Sequence, residues 1–104
     1  MQNYEKNIIN YIDNCKHSDD EKAIFIDLLL ELVRYCHQNC DNQSSKTLKH
    51  LFPEEQWEQI HQSNRNTLGK HVRHLVSRRG LPLTDTDERT SSNHRLYIVI
   101  NKEA

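Results

Sequence analysis

Between Ser63 and Gly80 the chain carries Arg65, Lys70, Arg73, Arg78 and Arg79 without a single acidic residue, together with His71 and His74. Five fixed cations in so short a stretch create the local positive potential that meets phosphate oxygens. Leu68, Val72, Leu75 and Val76 recur there at i, i+4, i+7 and i+8, the apolar stripe of an amphipathic helix over 64–79. At about 100° per residue, the face opposite that stripe holds Asn66, Lys70 and Ser77. Arg73 flanks these residues on one side, and Thr67 and His74 on the other. The chemistry of that face is hydrogen bonding to nucleic acid: Asn pairs bidentately with adenine and Arg with guanine, while Lys, Ser and Thr donate to phosphate oxygens. Arg78, Arg89 and Arg95 are further candidates for the phosphate backbone. Arg78 and Arg79 end the helix, where the dipole favours cations without any ligand, and Asp85, Asp87 and Glu88 oppose Arg89 and Arg95.

Thiols and imidazoles suggest a different chemistry. Cys36, His37 and Cys40, with Cys15 and His17, are zinc-ligand types, but no tight knuckle and no second cysteine pair accompany them. His71 and His74, at i and i+3, have no third ligand. Neither a metal nor a cofactor is expected. Glycine-rich phosphate loops, G-x-S-x-G and H-E-x-x-H are absent, and nothing aligns a nucleophile with a base and an orienter, so the chain reads as a non-enzyme. Three cysteines cannot all pair within one chain, and they are expected to be reduced thiols.

The elements that must position the basic helix are legible from periodicity. Tyr4, Ile8, Ile9, Ile12 and Cys15 form the stripe of a first helix. Ser18, followed by Asp19, Asp20 and Glu21, caps a second helix, which runs to about Asn39. Its polar positions Asp27, Glu31, Arg34 and Gln38 leave one narrow strip for water. So broadly apolar a helix either centres the core or pairs with a second copy, through Ile24, Leu28, Leu29, Leu32 and Tyr35. Residues 40–45 read as a loop, Ser45 as the cap of a short helix with Leu48, Leu51 and Phe52, and Pro53 as the start of another with Trp57 and Ile60. Ser63 or Asn64 caps the basic helix. Gly80 ends it at C′, and Gly69 is expected where the preceding helix comes close. Leu81 to Thr84 and Arg95 to Ile100 are strand-like, and Thr86 to Asn93 is a polar loop between them. The expected fold class is therefore mainly α with a C-terminal β-hairpin: a winged helix-turn-helix preceded by two N-terminal helices. All of 1–104 forms one domain, with a helical, possible dimerisation part at 1–42 and a winged-helix part at 45–101.

Charge divides along the chain. Residues 1–62 hold six Lys/Arg and eleven Asp/Glu, a net of −5, whereas 63–104 hold eight and four, a net of +4. The longest apolar run, Leu96 to Ile100, is far below the roughly 20 residues of a membrane span, and the N-terminus lacks the features of a secretory signal. A cytoplasmic protein is expected.

Residues 47–99 carry a pattern in Thr47, Leu48, Leu51, Phe52, Trp57, Leu68, Gly69, Lys70, Val72, Val76, Ser91 or Ser92, Asn93, His94 and Tyr97. It resembles a family of small uncharacterised single-domain proteins of bacteria, phages and mobile elements, with a winged-helix order of elements. The resemblance implies the fold more than an activity. Two readings of function follow. The first is a homodimeric DNA-binding transcriptional regulator or repressor, reading double-stranded DNA at half-sites roughly 34 Å apart. The second is an inhibitor of a host protein, of the kind that anti-CRISPR proteins represent, to which the acidic N-terminal part is suited.

Overall fold

Ser18 and Glu21 start the longest helix by each holding the other's backbone. The Ser18 N–H donates to Glu21 Oε1 at 3.0 Å, and the Glu21 N–H donates to Ser18 Oγ at 3.2 Å, a reciprocal capping box. The computed structural model describes residues 4–38, 45–92 and 94–100. Asn39, Cys40 with the rest of the expected loop up to residue 44, and Asn93 lie outside the described residues. The helices are α1 (Tyr4–Asp13), α2 (Asp19–Gln38), α3 (Glu54–Glu58) and α4 (Gln62–Ser77). A 3-10 turn covers Leu48–Leu51, and the strands are β1 (Ser45–Lys46), β2 (Leu83–Arg89) and β3 (Arg95–Val99). Among the described residues the architecture is thus mixed, four helices with a three-stranded antiparallel sheet in the order β1-β3-β2. Among the described residues no helix is long and apolar enough to cross a membrane.

Phe25, Leu29, Leu32 and Cys36, spaced four, three and four, form the buried face of α2. They share one core with Ile8 and Ile12 of α1, Leu51, Phe52, Trp57, Leu68, Val72 and Leu75, and with Leu83, Tyr97 and Val99 of the sheet. The 1–42 and 45–101 parts therefore have a common core. Two of the expected dimer contacts are corrected by it: Leu29 and Leu32 are each 0% exposed within the single chain and have no surface to offer a second copy. Ile24 is 44% exposed, and Leu28 and Tyr35 are half-buried. α1 and the 3-10 turn cover one side of α2, and Ile24 lies in the open on the strip that carries Asp27 and Arg34.

Other expectations shift for local reasons. Ser45 does not cap a helix; Ser45 and Lys46 pair with Ile98 and Tyr97 as an added edge strand, and Thr47 precedes the 3-10 turn. A two-residue strand has too few positions to set a period. The polar stretch after Thr84 continues β2 as far as Arg89, because a bulge between Asp85 and Arg89 restores the pairing with β3. Side chains hold the bulge: Asp87 (φ 63°) donates its N–H to Asp85 Oδ1, and Glu88 donates its N–H to Thr86 Oγ1.

The end of α4 is a Schellman closure shifted by one residue from expectation. Arg79, with φ 59°, takes the left-handed position. Its N–H donates to the Val76 carbonyl at 3.0 Å, and the Gly80 N–H donates to the Leu75 carbonyl at 2.7 Å. The left-handed backbone costs a side-chain-bearing residue about 1 kcal/mol. Gly80 is needed for space rather than for φ, since a Cβ there would lie 3.0 Å from Leu75 Cδ2 and 3.4 Å from the Leu75 carbonyl oxygen. Gly69 is different. A Cβ on it would meet only Leu48 Cδ2, at an ordinary 3.9 Å, so no close approach requires glycine there. Gly69→Ala is accordingly expected to stabilise the fold by about 1 kcal/mol and raise the melting temperature by about 4–8 °C. A lowered melting temperature in a thermal scan would mean that the 3-10 turn packs against α4 too tightly for a methyl group.

Candidate nucleic-acid interface

The outward face of α4 begins earlier than the sequence indicates. The helix starts at Gln62 with His61 before it, not at Ser63 or Asn64. Gln62, Asn66, Lys70, Arg73 and Ser77 are spaced four, four, three and four and are all exposed, while Leu68, His71, Val72 and Leu75 are buried behind them. Gln62 was missed because no residue with a capping side chain marks the start. Its amide donates to Asn66 Oδ1 at 3.2 Å, which orients the Asn66 side chain and leaves its own NH₂ group available.

Two expected donors are engaged inside the helix. The Ser77 hydroxyl donates to the His74 carbonyl at 2.7 Å, and the half-buried Thr67 hydroxyl donates to the Ser63 carbonyl at 3.2 Å. Asn66, Lys70, Arg73 and exposed His74 are left as the outward donors of the face.

The arginines separate into two groups. Arg65 lies over the Trp57 ring at 4.9 Å, donates to the Trp57 carbonyl at 2.8 Å and sits 3.5 Å from Glu58. Arg78 lies over the Tyr11 ring at 5.6 Å. Arg95 is ion-paired with Asp85 and only 19% exposed, which takes it from the expected set of phosphate contacts. Arg89 is exposed on β2 and registers opposite Arg95. Lys70, Arg73 and Arg79 are exposed and have no ion-pair partner among the described residues. Burial raises the Tyr97 hydroxyl above its ordinary pKa and Asp85 adds to this, while Arg95 and Arg73 oppose it.

Behind the face, a polar latch that periodicity does not reveal ties α4 to the α1–α2 hairpin. The Tyr11 hydroxyl is 3.0 Å from His71 Nδ1, and His71 Nε2 is 2.9 Å from His17 Nε2. One of the two Nε2 atoms must carry a proton for the second bond to exist. Phe25 packs edge-on against His71, with ring centroids 5.1 Å apart. Burial, with His17 and His74 nearby, pushes the His71 pKa down to about 4. Burial and neighbouring Cys15 push Tyr11 up to about 12, with Arg78 opposing. No three His, Cys, Asp or Glu side chains gather to hold a metal among the described residues. Cys15 is half-buried and Cys36 buried.

No protein-family model, curated protein or solved structure matches the chain. Much of the motif in residues 47–99 is packing: Leu51, Phe52, Trp57, Leu68, Val72 and Tyr97 are core residues, whereas Lys70 and His94 are exposed.

Proposed function

We propose that the chain is a sequence-specific double-stranded DNA-binding protein, a transcriptional regulator that places α4 in the major groove with β2–β3 as a wing. The observation that carries this reading is the exposed, acid-free face of α4, fixed from behind by Leu68, Val72, Leu75 and the His71 latch. An α-helix is about 10–12 Å across and the major groove about 12 Å wide, so a helix with this face outward fits it. The order α2, β1, α3, α4, β2, β3 with a β1-β3-β2 sheet supports a winged helix-turn-helix arrangement. Two copies joined through the exposed side of α2, with Ile24, Leu28 and Tyr35, would read a two-fold site. Asn66 is the base-reading residue, and Lys70 and Arg73 supply charge. Asn66→Ala is expected to cost about 1–3 kcal/mol at one adenine position and to relax the preference there, while affinity for random duplex stays unchanged. Binding selections on randomised duplexes measure this. A preference unaltered at every position contradicts the assignment of Asn66.

A second reading, inhibition of a host protein, is favoured by the exposed acids Asp13 of α1 and Asp19, Asp20, Glu21 and Asp27 of α2. The same α4 substitutions would leave such a complex intact.

A further inference from the structure

Three arginines, Arg73, Arg79 and Arg95, line a cleft of about 580 Å³ between the last turns of α4, the foot of the β2–β3 hairpin and Tyr4. Among the described residues one carboxylate, Asp85, lines it as well and is paired with Arg95, so their uncompensated charge in the cleft comes from Arg73 and Arg79. The neighbouring arginines at the end of α4 diverge. Arg78 lies on the Tyr11 ring, whereas Arg79 is held in the left-handed conformation by the Schellman closure and contributes to the cleft. Glycine would take that conformation more easily, yet here an arginine occupies it and the glycine follows. The negative end of the helix does not oppose an anion there strongly, because the Leu75, Val76 and His74 carbonyls already accept backbone hydrogen bonds from residues 78–80.

We propose that Arg79, together with Arg73, seats a backbone phosphate of duplex DNA in this cleft. The inference rests on the DNA-binding reading and deepens it. Arg73 belongs both to the outward face of α4 and to the cleft, so an anion held in the cleft lies alongside the helix. A helix in the major groove has the sugar-phosphate strands along its flanks, which makes a phosphodiester the fitting occupant.

The test is fluorescence anisotropy with a random-sequence duplex and the duplex upstream of the protein's own coding region. Wild type, Arg79→Gly and Arg78→Ala are compared at about 50 and 200 mM salt. Arg79→Gly relieves the left-handed backbone, so its melting temperature should be at least that of wild type and lost affinity cannot be lost folding. Its affinity should fall on both duplexes alike, and the log–log salt slope should shrink by about 0.9, narrowing its gap from wild type about 3.5-fold between the two salts. Arg78→Ala should keep the wild-type slope. An unchanged slope in Arg79→Gly, with wild type binding DNA, overturns the phosphate seat alone. Absence of DNA binding by wild type overturns both the seat and the proposed function. Inorganic phosphate titrated calorimetrically into the DNA-free protein should give no saturable binding; saturable binding lost in Arg79→Gly would assign the cleft to free phosphate instead.

Discussion

The double substitution Lys70→Ala, Arg73→Ala is expected to lower affinity for duplex DNA by about 10²–10³-fold and to shrink the salt slope by about 1.8. Both side chains are exposed on the acid-free face, and neither has an ion-pair partner among the described residues. Their removal therefore takes positive charge from the interface without opening the core, and the change in folding stability should stay within about 0.5 kcal/mol. Arg65 and Arg78 provide the contrast. Substituting either removes a ring contact, to Trp57 or Tyr11, and should reduce stability more than DNA affinity. Anisotropy titrations paired with thermal melts separate the two effects. Unchanged DNA affinity in the double variant would move the interface away from α4.

Acid should weaken the fold through His71. In the unfolded chain an imidazole titrates near its ordinary value of about 6.5, whereas in the fold burial holds His71 to about 4. Below pH 6.5 the unfolded state therefore takes up a proton that the folded state refuses. The stability that neutral His71 contributes is complete above pH 6.5 and declines as pH falls to about 4, by about 3 kcal/mol at most. Glu21 adds to this in its own window. Its carboxylate is held below its ordinary range by the Ser18 backbone and side-chain hydrogen bonds, so its contribution is lost as pH falls through the carboxylate range. At the alkaline end Tyr11, raised to about 12, favours the fold less as pH climbs from about 10 toward 12, because the unfolded phenol ionises first. Urea melts of wild type and His71→Gln between pH 7 and 4.5 isolate the histidine. The wild-type midpoint should drop steadily while the variant's stays nearly flat. Parallel curves would mean that the latch does not govern acid stability.

What could be read in advance follows from how each feature is encoded. The stripe of Leu68, Val72 and Leu75 places its own opposite face, so the outward set of α4 was legible wherever exposure alone decides it. Hydrogen bonding was not legible: Ser77 and Thr67 turn back to helix carbonyls, and Arg95 finds Asp85 ten residues away across the hairpin. Long-range pairings leave no local period, and this is why β1 and the Tyr11–His71–His17 latch, with partners 60 and 54 residues apart, were invisible. The start of α4 moved because His61 precedes it with no side-chain cap to mark the boundary. The same lack of a local signal hid which face of α2 belongs to the chain's own core, so Leu29 and Leu32 read as candidates for a partner's surface.

The most direct test of the central claim is a mobility shift of the purified protein on its own upstream duplex and on random duplex, at about 50 and 200 mM salt. A shift is expected on both at the lower salt and, at the higher salt, retention only on a specific duplex, with both shifts lost in the Lys70/Arg73 double variant. No shift on either duplex at either salt would contradict a DNA-reading α4.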